Sequence, residues 1–305
     1  MTRWLGRFVR RLAAAVLVLT AGLAVAAFAL DTQLRRSDVL DDYPGRPETA
    51  SGTNWLLVGS DSRIALSERQ QEQLATGGDV GPAHSDTVLL IHVPDSGPAT
   101  VVSLPRDSSV QIPGESGRNK LNTAYARGGG RLLAQTVELA TGVRLDHYAE
   151  IGFGGLADLV QAVGGVDVCL DEPINDPLAG IDLPQGCQRL DGAQALGVSR
   201  SRATPRADLD RMLHQRALIG SLMAKLGSPW TLADPSRISA LWHAATEDVV
   251  FDDSVHVWQL GELAKALNGP VDATAVPISG FANTDVGNVV LWDKDQAKAL
   301  FQSLR

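Results

Sequence analysis

The sequence predicts a layered α/β domain carried behind one apolar helix, and three observations support this. Leu12 to Leu30 is a run of 19 residues without charge or proline. From residue 53 onward, short β-branched runs bounded by turn residues alternate with stretches of helical periodicity, the pattern of a sheet covered by helices. The hydrophobic content of 44% is that of a chain able to bury a core.

As a helix, Leu12–Leu30 would extend about 28 Å, close to the hydrocarbon thickness of a bilayer. Arg3, Arg7, Arg10 and Arg11 precede it, whereas Arg35 and Arg36 follow among acids. That bias predicts a cytoplasmic segment over 1–11, a single-pass transmembrane anchor over 12–30, and a domain held outside the cytoplasm at the cell membrane. A cleaved signal peptide is the competing reading, since Ala24-Val25-Ala26 and Ala27-Phe28-Ala29 have cleavage-like spacing. The length of the run favours the anchor. Residues 31–52, with Pro44, Gly45, Pro47, Ser51 and Gly52, read as a linker lifting the domain, 53–305, off the membrane.

The net charge of −8 conceals an asymmetry, because beyond residue 30 there are 23 basic against 35 acidic residues. So acidic a domain is a poor partner for nucleic acid, and any anion it binds must meet a local arginine cluster or a metal. Cys169 and Cys187 have neither a Cys-x-x-Cys partner nor a histidine at metal spacing, so in an exported domain a disulfide is expected and zinc is not.

Trp55–Val58, Thr87–Val93 and Thr100–Leu104 read as strands, the last two joined across Pro94-Asp95-Ser96-Gly97-Pro98 as a hairpin. Helices are expected over Arg131–Thr141, stopped by Gly142, over Phe153–Val163, and over Asp208–Leu226. Strands are expected at Val166–Leu170 and near Ala273–Ile278. Pairing the first two strands antiparallel brings Asp61 and Asp86 to one sheet edge, and the hairpin returns Arg106 and Asp107 there, with Arg63 close by. Two carboxylates without histidine or thiolate suit a hard cation such as Mg²⁺ or Mn²⁺. A second cluster follows from Leu196–Ser199 read as a strand, which would put Arg200 and Arg202 on one face. Asp208, Arg211 and Gln215 form one stripe of the next helix, with Arg216 off it. Planar guanidinium groups match phosphate oxygens bidentately.

These segments resemble the LytR-CpsA-Psr family of cell-envelope phosphotransferases. The matching stretches run in order: Asn54-Trp55-Leu56-Leu57-Val58-Gly59-Ser60-Asp61-Ser62-Arg63, Ser85-Asp86-Thr87, Ser103-Leu104-Pro105-Arg106-Asp107, Lys120-Leu121-Asn122-Thr123-Ala124-Tyr125, Gly164-Gly165-Val166-Asp167-Val168, Leu190-Asp191-Gly192-Ala193-Gln194-Ala195-Leu196, Arg200-Ser201-Arg202, and Asp208 with Arg211 and Gln215. The resemblance implies a three-layer α/β/α domain with a central mixed sheet and an apolar channel for a polyprenyl tail. It further implies transfer of a glycopolymer from a polyprenyl-pyrophosphate carrier to a peptidoglycan hydroxyl. On this chain Asp61 and Asp86 would hold the magnesium, and Arg63, Arg106, Arg200, Arg202 and Arg211 would clamp the pyrophosphate with Lys120, Asn122 and Gln215. Such a site suffices for phosphoryl transfer, which depends on positioning and charge neutralisation. Asp107 and Asp208 are both candidates for the general base.

His84 stands where the family usually has arginine before Ser-Asp, and His214-Gln215-Arg216 where it favours Arg-Gln-Gln. Gly152-Phe153-Gly154-Gly155-Leu156-Ala157 fits a dinucleotide fingerprint, but Asp146–Ile151 before it is too polar for a buried parallel strand, so the match is read as coincidence. Two rival functions share the site: a pyrophosphatase passing phosphate to water, and a non-catalytic glycolipid-binding or regulatory protein.

Overall fold

In the computed structural model the described residues are 14, 17, 20–22, 25, 27–62, 66–77, 83–201, 203–204 and 208–305. Among them no helix is long and apolar enough to cross a membrane. Most of the anchor expected over 12–30 lies outside the described residues.

A seven-stranded mixed sheet organises the domain. Its strands are β1 (Arg35–Ser37), β2 (Thr53–Ser60), β3 (Ser85–Val93), β4 (Ala99–Ser103), β5 (His147–Ile151), β6 (Val249–Asp252) and β7 (Val271–Ala275). They lie in the order β1-β6-β5-β2-β3-β4-β7. The hairpin β3–β4 and the pairing of β2 with β3 are antiparallel, as expected, while β5 runs parallel to β2 and β7 parallel to β4. Because side chains alternate across a strand, β2, β3 and β4 each feed two cores. Leu56, Val58, Leu90 and Val102 face the helices Leu121–Thr141 and Lys294–Gln302. Trp55, Leu89, Ile91 and Val101 face the long helix Asp208–Leu226, with Trp242 of the helix Pro235–Glu247 and Leu260 and Leu267 of the helix Val257–Leu267. These are the three layers. The long helix also turns Leu218 and Leu222 toward a satellite core built from the helix Phe153–Ala162 and the hairpin of Val166–Leu170 with Gly186–Leu190. Within that hairpin Cys169 lies opposite Cys187, and the two form the expected disulfide.

Four expectations need correction. Residues 31–52 do not form a free linker: β1 pairs with β6, Leu34 and Val39 are buried, and Arg46 is held by Glu138 at 3.0 Å. The helix expected from Arg131 starts at Leu121 and bends at Gly128 and Gly129, where the backbone leaves helical values. Leu196–Ser199 is helical, inside Gly192–Arg200. Asp191 caps that helix, accepting from the Gln194 N–H at 2.9 Å, and its small apolar residues are buried. Finally, His147–Ile151 is a strand in the middle of the sheet despite its polarity. The glycines after it serve close packing: a Cβ on Gly155 would come within 2.9 Å of Asp248 and Ile151 side-chain atoms, and one on Gly152 within 3.1 Å of the Ser62 carbonyl oxygen.

Candidate functional site: an acidic-basic edge at the end of an apolar cavity

Two local devices assemble the edge that the strand order predicts. In the β2–β3 pair Gly59 faces Thr87 and Ser60 faces Ser85, which leaves Asp86 as the extra residue of a bulge. A bulge bends its strand and re-aims the side chain it carries. The β3–β4 hairpin then returns the chain, so that Arg106 Nη1 reaches Asp86 Oδ1 at 2.5 Å. Asp107 Oδ2 lies 3.4 Å from Arg106 Nε, and its Oδ1 lies 2.8 Å from Lys120 Nζ. Lys120 ends the short strand Arg118–Lys120, and Asn122, in the first helical turn, donates its backbone N–H to the Arg106 carbonyl at 2.9 Å. Asp61 prolongs β2. Its N–H donates to His84 O at 3.0 Å, and its Oδ1 accepts the His84 N–H at 2.5 Å. The His84 ring stands 3.9 Å from the other oxygen, turned to the carboxylate.

Asp61, Asp86, Arg106, Asp107, Lys120 and Asn122 are therefore gathered at one sheet edge. Among the described residues no group of three or more His, Cys, Asp or Glu side chains could hold a metal. Two carboxylates still suit a cation that keeps several waters and takes its other ligands from phosphate. Asp61 and Asp86 supply two such carboxylates at this edge.

The second cluster is built differently from its expectation. Arg200 is the last residue of a helix, not a strand residue. Its guanidinium lies 5.3 Å from the Phe153 ring centroid and donates to the carbonyls of Leu74 at 2.9 Å and Ala75 at 3.2 Å. Gln215 donates from Nε2 to Ser199 O at 2.8 Å. Arg200, Gln215, Ser60 and Asp86 nevertheless line one hollow of about 100 Å³ between β2 and the long helix. Arg63 and Arg202 lie outside the described residues. Asp208 and Arg211 lie at the start of the long helix.

Beside this edge a cavity of about 530 Å³ opens between the long helix and strands β3, β4 and β7. Asp86, Arg106, Asp107 and Gln215 line it together with apolar groups that include Val101, Leu213, Ile219 and Met223. Arg216, expected off the anion-binding stripe, also lines this cavity and donates to Ala273 O at 3.3 Å.

One polar group went unnoticed in the sequence. Glu150 of β5 accepts from Ser60 Oγ at 3.0 Å, from the Tyr148 hydroxyl at 2.7 Å, and from the Tyr125 hydroxyl. Burial, and then the charge of Glu150, raise both phenols' pKa, so they remain donors at neutral pH. The network braces the end of β2 immediately before Asp61. Its one sequence signal was the polarity of Asp146–Ile151, which had counted against a strand.

The model of the LytR_cpsA_psr family matches residues 24–305. The probable cell wall biosynthesis protein LcpB of Corynebacterium glutamicum is 48% identical over 275 residues, covering 90% of this chain and 66% of its own length. The Enterococcus faecalis polyisoprenyl-teichoic acid–peptidoglycan teichoic acid transferase TagU is 37% identical over 179 residues, 58% of each protein. The chain thus spans less than two thirds of the length of these curated relatives. Among solved structures, a LytR-Csp2A-Psr enzyme from Actinomyces oris superposes with a TM-score of 0.68 at 20% identity, over 89% of this chain and 95% of that one, and so shares the fold.

Proposed function

Because the chain belongs to the LytR_cpsA_psr family, we propose that it transfers a glycopolymer from a polyprenyl-pyrophosphate carrier to a peptidoglycan hydroxyl, at the outer face of the cell membrane. The observation that carries this reading is the 530 Å³ apolar cavity with Asp86, Arg106 and Asp107 in its wall. A cavity of that character suits an isoprenoid tail, and the charged edge suits the pyrophosphate to which the tail is joined. The related TagU is named as a transferase of polyisoprenyl-linked teichoic acid to peptidoglycan.

In this reading Arg106 and Lys120 bind phosphate oxygens, exchanging part of their contact with Asp86 and Asp107 for the ligand. Gln215 and Arg200 line the hollow adjoining Asp86, and Arg63, Arg202 and Arg211 are assigned to the same clamp from their place in the sequence. The acceptor oxygen attacks phosphorus and the bridging P–O bond of the pyrophosphate breaks, so polyprenyl phosphate leaves. The hydroxyl proton passes to a carboxylate, Asp107 or Asp208. Asp107 is the one whose side chain is placed at the edge. Asp61 and Asp86 would hold Mg²⁺, which supplies charge neutralisation at the phosphates when bound. Asn122 fixes the Arg106 backbone.

The test incubates the full chain with a polyprenyl-pyrophosphate-linked glycan and peptidoglycan oligomers, with mass spectrometry of the products. Glycan joined to peptidoglycan through a phosphodiester is the expected product, lost in Arg106→Ala and after EDTA treatment. Carrier cleavage that yields only free phosphorylated glycan would make the protein a hydrolase. Full activity in EDTA would remove the metal.

A further inference from the structure

The foot of the N-terminal helix is not loosely joined to the domain. Residues 27–31 are helical and end at Asp31, which is only 7% exposed. Asp31 Oδ1 accepts the backbone N–H of Val257 at 2.9 Å and meets Arg36 Nη2 at 2.8 Å. Its Oδ2 lies 3.0 Å from His256 Nδ1. Arg36 also donates to the Asp31 carbonyl and the Val255 carbonyl, both at 2.9 Å. Burial acts to raise the Asp31 pKa, but the hydrogen bonds from His256 and Val257 and the charge of Arg36 outweigh it and hold the carboxyl below its usual range. Two residues on, Gln33 accepts from Trp242 Nε1 at 3.1 Å. The connection is thus tied to the first turn of the helix Val257–Leu267 and to the helix Pro235–Glu247.

What stands beside this tie is aromatic. Trp258 stacks on His256 with ring centroids 4.4 Å apart, yet 53% of it is exposed. Phe28 and Leu30, in the turn before Asp31, are also exposed, 70% and 37%. The uncharged run Leu12–Leu30 ends directly at Asp31, so its last turn and Trp258 flank the same buried carboxylate. Tryptophan at the end of an apolar span sits where headgroups meet acyl chains, its ring in the apolar layer and its N–H in the wet one.

We propose that Asp31 clamps the anchor helix to the catalytic domain and sets Trp258 into the headgroup region of the outer leaflet. This rests on the reading of Leu12–Leu30 as a membrane anchor. The helix Val257–Leu267 that receives the clamp has 11 residues, about 16 Å of helix, and ends at Leu267 in the wall of the apolar cavity. One rigid element thereby joins anchor and channel and fixes the height at which a carrier lipid enters.

The test uses the full chain reconstituted in vesicles of phosphatidylcholine and phosphatidylglycerol, with lipids brominated near the headgroup as quenchers of tryptophan fluorescence. Comparison with Trp258→Phe isolates this one ring from the other five tryptophans. We expect the fraction quenched to fall clearly in Trp258→Phe, and to fall likewise in Asp31→Ala while the circular dichroism is unchanged. Protein that resists alkaline carbonate extraction but is quenched equally in the wild type and Trp258→Phe overturns the headgroup contact and leaves the anchor standing. Trp258 quenched equally with and without Asp31 overturns the clamp. Release of the wild type by carbonate overturns the anchor and this inference together.

Discussion

Gly220→Leu provides a direct test of the lipid channel. Gly220 lies in the long helix and lines the 530 Å³ cavity, and a Cβ built on it meets no atom within 4 Å. A leucine there adds four carbons to the lumen rather than to the packed core. It also replaces a poor helix former, worth about 0.8–1 kcal/mol in favour of the folded state, so the variant should fold at least as well as the wild type. Four carbons of displaced lipid, at about 0.8 kcal/mol per methylene, amount to about 3 kcal/mol, or on the order of a hundredfold in Kd. Gly220 is five residues from Gln215, about 7.5 Å along the helix axis, so the charged edge stays intact. The assay is equilibrium binding of undecaprenyl pyrophosphate and, in parallel, of inorganic pyrophosphate, which has no tail. A large loss for the first ligand and none for the second is expected. Unchanged undecaprenyl pyrophosphate binding in a folded variant would refute the channel, and equal losses for both ligands would show that the substitution had disturbed the edge.

Two further outcomes concern stability. Cys169 and Cys187 are 18 residues apart in sequence, and the loop-entropy model gives their bond about 3 kcal/mol, so the double serine variant should unfold at clearly lower urea, with the native protein showing no titratable thiol when denatured without reductant. Asp248 is raised to about 6 by burial and then by the neighbouring charge of Asp158. Its folded form therefore favours the proton, and stability falls as pH rises from its unfolded value of 3.8 through about 6. Asp248→Asn should raise Tm by about 2 °C near neutral pH, roughly 1 kcal/mol after solvent screening of a half-buried group, and should change nothing at about pH 3. Equal effects at both pH values would show that the carboxylate is not the cause.

Local pattern determined the strands at Trp55–Val58, Thr87–Val93 and Thr100–Leu104, because short β-branched runs and a Pro-Asp-Ser-Gly-Pro turn are legible without distant contacts. From that order alone followed the meeting of Asp61, Asp86, Arg106 and Asp107 at one edge. Leu196–Ser199 was misread for want of periodicity in a short run of small residues, although the Asp191–Gln194 capping box was present in the sequence. His147–Ile151 was beyond local reading. The cost of half-burying Glu150 is offset by hydroxyls of Ser60, Tyr125 and Tyr148, two of them far away in sequence. Residues 31–52 look like a spacer until Asp252 accepts the N–H groups of Val39 and Leu40 at 3.1 and 2.8 Å, and Glu138 binds Arg46. Tertiary structure alone decided these, because a polar or turn-rich segment is buried only when a remote partner satisfies its hydrogen bonds.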